Sequence, residues 1–113
     1  MDNLLLFPES LRPDGPEFSE TVCAASGAVR VERILSLGHV TPEGVWYDQA
    51  EDEWVAVLEG TARIAYPDGS EVSLARGDHL FLPRHVRHRV AYTSSPCVWL
   101  AVFGQVRPGE PGA

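Results

Sequence analysis

No apolar run in this 113-residue chain approaches the roughly 20 residues that a membrane-spanning helix needs. The opening Met1-Asp2-Asn3-Leu4 lacks the basic stretch of a secretory signal, so the chain reads as cytoplasmic, with no membrane partner. Basic residues are scarce: nine Lys and Arg stand against 16 Asp and Glu, a formal net charge of −7. Neutralising phosphates requires a basic face, so nucleic acid is excluded as a partner. The two cysteines, Cys23 and Cys97, lie in apolar, strand-like contexts without Cys-x-x-Cys spacing, and they read as buried reduced thiols rather than a disulfide or zinc knuckle. The sequence has no Gly-x-Ser-x-Gly and no Gly-rich phosphate loop opening a helix, and neither cysteine has a histidine nearby in sequence. Helical periodicity is also missing.

What remains is a succession of short β-rich runs between turn signals: residues 21–25, 29–37, 44–48, 53–59, 62–66, 71–74, 79–82, 86–93 and 98–103. Pro67-Asp68-Gly69 marks a hairpin, and Gly60, Gly77 and Ser95-Pro96 punctuate the other runs. The length suits one domain with one core. Residues 1–18, broken by Pro8, Pro13 and Pro16, read as an irregular arm whose Leu4-Leu5-Leu6-Phe7 packs on the domain or on a second copy. Residues 19–105 form the β domain and residues 106–113 a frayed tail. Even strand spacing without helices predicts an all-β sandwich or barrel.

Chemistry concentrates between Tyr47 and Tyr92. Strand alternation puts Tyr47 with Gln49, Glu53 with Val55 and Val57, and His88 with Val90 and Tyr92, the last three opposite Arg87 and Arg89. Apolar facemates point Glu53 and His88 inward. A buried carboxylate costs several kcal/mol unless a cation or donor meets it, so Glu53 requires a partner. Trp46, Trp54 and Trp99 are assigned to the outer face or an interface, which predicts a homodimer. Arg84, Arg87 and Arg89 read as partners of surface carboxylates, and His39 and His79 as structural histidines.

Two motifs carry a family resemblance. Glu53, six residues and Gly60 resemble the end of the first cupin motif; Gly77, five residues, Pro83, one residue, His85, two residues and His88 resemble the second. The resemblance spans Gly38 to Phe103 and implies a double-stranded β-helix, the jelly-roll barrel of two antiparallel sheets. It departs from the pattern twice. Tyr47 and Gln49 stand where metal-binding cupins carry His-x-His, and His85 stands where Gly is usual, at a place where His tolerates a left-handed turn.

Membership of this kind implies a divalent metal ion, with zinc, manganese, iron and nickel not distinguished, and Gln49, Glu53, His85 and His88 as its ligands. Tyr47 or His85 is then the proton donor of an enzyme acting on a small organic substrate, anywhere from dioxygenase to isomerase, decarboxylase or lyase. The alternative is a metal-free hydrogen-bonded cluster of Glu53, Tyr47, Gln49 and His88 that binds or senses a small molecule. A third reading is a barrel filled by Val55, Val57, Val90 and Leu100, with a purely structural role.

Overall fold

The computed structural model describes residues 3–25 and 27–109. Its strands are β1 (Phe18–Ala24), β2 (Arg30–Ser36), β3 (Asp52–Glu59), β4 (Ala62–Ala65), β5 (Glu71–Leu74), β6 (His79–Leu82), β7 (Arg89–Thr93) and β8 (Cys97–Gly104). They form a five-stranded sheet in the order β1-β2-β8-β3-β6 and a three-stranded sheet in the order β5-β4-β7, with antiparallel pairings throughout. This is the expected jelly roll. Residues 1, 2 and 110–113, where the start of the arm and part of the tail were read, lie outside the described residues.

Local chemistry explains the turns. At the β4–β5 hairpin Asp68 accepts the Ser70 amide at 2.8 Å, and Gly69 takes φ +89°. The second motif closes in a Pro83–Val86 turn, where the Val86 amide donates to the Pro83 carbonyl at 3.2 Å and His85 sits at φ 61°. Asp52 pins this turn to β3 by accepting the Arg84 amide at 2.9 Å and its guanidinium at 3.1 Å.

Alternation gives the five-stranded sheet two apolar faces. The inner one places Val55, Val57, Trp99, Ala101 and Phe103 against Ile64 and Leu74 of the smaller sheet. The outer one places Leu35 and Val98 beneath Leu11, with Phe7 and Phe18 packed alongside. The arm is fastened there by Arg33, 8% exposed, whose guanidinium donates to the Leu6 carbonyl at 2.5 Å and pairs with Glu20 at 2.7 Å.

Four expectations are corrected. Residues 44–48 are not a strand, since Tyr47 alone bridges to His88. Tyr92 does not point in. A bulge pairs Arg63 with Tyr92 but Ile64 with Val90, which shifts the alternation and leaves Tyr92 41% exposed beneath the Arg63 guanidinium, 5.2 Å from its ring. Trp99 lies inside, 4% exposed, because its indole N–H finds the buried Ser36 hydroxyl at 3.1 Å; Leu100 takes the opposite face. Cys97 is buried but Cys23 is exposed on β1, and both are free thiols. Burial pushes the Cys97 thiol up to about 12, which leaves it unreactive.

Gly60 ends β3 at φ +86°, and a Cβ there would stand 2.3 Å from Ser94 Oγ and 2.4 Å from the Pro96 carbonyl. Both contacts and the backbone conformation oppose a side chain. Gly60→Ala is expected to destabilise the fold by about 2 kcal/mol or more, lowering Tm by roughly 10 °C. Urea unfolding measures this, and an unchanged midpoint would refute it.

Candidate ligand pocket

A cavity of about 200 Å³ opens between the two sheets. Val55, Ile64 and Leu82 supply its apolar lining, and Trp99 and Phe103 supply aromatic wall. Its polar groups come from four separate segments: Glu17 and Ser19 from the arm and β1, Glu32 from β2, Tyr47, Gln49 and Glu53 from the start of β3 and the loop before it, and His88 from the turn before β7.

Glu53 is 7% exposed and accepts a hydrogen bond from the Gln49 amide at 3.3 Å. Burial, assisted by the neighbouring Glu32, pushes its carboxyl up to about 7, against the opposing pull of Gln49 and Arg30. Glu53 therefore exchanges a proton near neutrality. His88 is 4% exposed, and burial lowers its pKa. Its Nδ1 lies 3.1 Å from the Val86 carbonyl. A carbonyl only accepts, so the neutral ring carries its proton on Nδ1 and offers Nε2 as a lone pair. Among the described residues Nε2 has no hydrogen-bond partner, although the ring lines the cavity.

Backbone pairing fixes His88 from the other side. The Tyr47 amide donates to the His88 carbonyl at 2.8 Å, and the His88 amide returns a bond to Tyr47 at 3.2 Å. Tyr47 is thereby held at the mouth, 44% exposed, with its ring centroid 5.6 Å from that of His88.

Four of the five candidate residues, Tyr47, Gln49, Glu53 and His88, thus line one cavity. His85 does not join them. Its left-handed backbone turns the ring outward, where Nδ1 lies 2.9 Å from Asp48 Oδ1 and the side chain is 65% exposed. His39 accepts the Leu37 amide at 2.9 Å and reaches the Gly15 carbonyl at 2.8 Å, and His79 lies against Trp54. Arg84 meets Asp52, Arg87 lies over Trp46, and Arg89 reaches the Thr41 carbonyl.

Sequence reasoning missed Glu17, Glu32, Trp99 and Phe103. Glu32 shares the alternation of Ile34, which was the available signal for it; Glu17 precedes the strands and gave none. Burial raises the Glu17 pKa, and its carboxylate accepts from the Ser36 hydroxyl, which itself accepts the Trp99 N–H.

A family model described as Cupin domain matches residues 38–103. The chain belongs to the cupin family. This cupin is 36% identical to a protein of Ralstonia eutropha JMP134 described as a "putative mannose-6-phosphate isomerase", over 94% of this chain and 98% of the other, with a TM-score of 0.80. Two more distant structures share its fold. A cupin superfamily protein of Desulfitobacterium hafniense DCB-2 is 18% identical, over 85% and 83% of the chains, with a TM-score of 0.70. KdgF from Halomonas sp. is 18% identical, over 79% and 78%, with a TM-score of 0.65. No match was found among curated proteins.

The donor set of this cupin does not fit the divalent ion that its family implies. One imidazole lines the cavity, and Glu53 is engaged with an amide. Among the described residues no three His, Cys, Asp and Glu side chains are grouped as an ion requires.

Folded Glu53 keeps its proton up to about pH 7, whereas an ordinary Glu releases it near 4.5. Between those values the folded state binds more protons than the unfolded chain, so stability declines as pH rises through this window, by about 2–3 kcal/mol. Glu53→Gln is expected to remove that decline. Denaturation at pH 4.5 and pH 8 compares the two proteins, and parallel profiles would contradict the assignment.

Proposed function

We propose that this cupin binds a small organic molecule in its barrel directly through side chains, with no metal ion between. The observation that carries the reading is the His88 Nε2 lone pair, which opens on the cavity without a protein partner among the described residues, on a ring otherwise 4% exposed. An acceptor facing the cavity with its other nitrogen already committed is free to receive a hydrogen bond from a ligand's donor. Glu53 and neutral His88 also have protonation states suited to passing a proton to and from a bound molecule, with Tyr47 at the mouth as a further donor.

The Ralstonia protein's description points toward a sugar phosphate. The lining of this pocket contains no arginine or lysine to receive a phosphate. The competing reading is a metal-dependent enzyme, favoured by the sharing of one cavity by Gln49, Glu53 and His88. The proposal places the protein in the cytoplasm and retains the division into arm, barrel and tail. It also retains the homodimer, now resting on the exposed Leu5 and Leu6 of the arm rather than on Trp99.

Elemental analysis of protein purified without an affinity tag separates the two readings, with Glu53→Ala and His88→Ala prepared alongside. Metal well below one equivalent is expected in all three, together with ligand-induced rises in Tm that survive exhaustive chelation. Near-stoichiometric metal that both substitutions abolish would overturn the proposal.

A further inference from the structure

The polar lining of the barrel is strongly biased toward acceptors. His88 Nε2 offers a lone pair, as Nδ1 is committed to the Val86 carbonyl. Glu17, Glu32 and Glu53 bring three carboxyl groups to the same cavity, and Trp99 has already given its only proton to Ser36. The donors left are Tyr47, Ser19 and the second N–H of Gln49.

No cation balances this set from within the lining. The chain contains no lysine, and its nine basic residues are all arginines. Arg30, the arginine closest in influence to Glu53, bonds Glu32 at 2.6 Å and Glu51 at 2.7 Å, and stacks on Phe103 at 4.5 Å. With Arg30 spent on Glu32 and Glu51, a neutral polyol would satisfy the acceptors but leave the Glu53 carboxylate without a countercharge. A positively charged donor does both, and aromatic walls attract the same charge.

We infer that the ligand of this pocket is a small organic cation, a protonated amine on an apolar body, with its N–H groups directed to His88 and Glu53 and Glu32 providing countercharge. The inference rests on the metal-free pocket proposed above. The His88 lone pair carries it beyond the acidic cluster itself, because a side chain only 4% exposed aims an unpartnered acceptor into the cavity, where a ligand's donor meets it.

The probes are benzylamine, its neutral counterpart benzyl alcohol and the anion benzoate, titrated calorimetrically into the full chain at pH 7.5 after chelation. Benzylamine is expected to bind about tenfold or more tighter than benzyl alcohol, with benzoate weakest. Glu53→Gln should narrow the gap between amine and alcohol. Should that variant fold poorly, Glu32→Gln, at a less buried position, must narrow it as well. Equal binding of all three probes, or a preference for benzoate, would overturn the cation while leaving the metal-free pocket intact. Binding that appears only when zinc or manganese is added would overturn both, and no binding under either condition would overturn the inference.

Discussion

A carboxyl group enclosed among Val55, Ile64 and Leu82 is the constraint around which the rest of the pocket is arranged. Water cannot solvate Glu53 fully, and no cation in the lining neutralises it. The fold holds such a group for a plain mechanical reason. Glu53 lies on the inner face of β3, a strand flanked by β8 and β6, so its backbone cannot rotate the side chain outward without breaking two ladders. Gln49 supplies a donor, and the group keeps a proton up to near-neutral pH. Stability and chemistry here share one origin.

The second element is the Pro83–Val86 turn. His85 occupies a left-handed conformation in it, and Asp52 holds the turn to β3 through Arg84. Two residues later His88 is buried with its Nδ1 fixed by the same turn's Val86 carbonyl. A histidine in place of glycine leaves its ring outside the cavity, beside Asp48. It keeps the turn, and the turn orients the neighbouring imidazole.

Much of this was legible in the sequence. The jelly roll, the β4–β5 hairpin and the inward placement of Glu53 and His88 followed from period-two alternation and turn residues, which act over a few positions. Three kinds of information were not local. The bulge that turns Tyr92 outward depends on the register between β7 and β4. The inward position of Trp99 depends on Ser36, 63 residues away, as a partner for its N–H. Glu17 enters the cavity because it stands with Ser19 opposite Phe18, which packs on the outer face, and its carboxylate meets Ser36 of β2, a partner distant in sequence. The motif-based set of Tyr47, Gln49, Glu53 and His88 came together in one cavity, and His85 separated from it, for reasons of backbone angle.

Glu17 and Ser19 give the cavity part of its wall, and they belong to the segment that enters β1, a strand hydrogen-bonded within the sheet to β2 on one side alone. The margin of the sheet and the rim of the cavity are thus one stretch of polypeptide. Fraying at that margin removes an acceptor from the cavity, and an occupant that engages Glu17 in turn holds the margin in place. The interior of the barrel is therefore only as well closed as the edge of its larger sheet is well held.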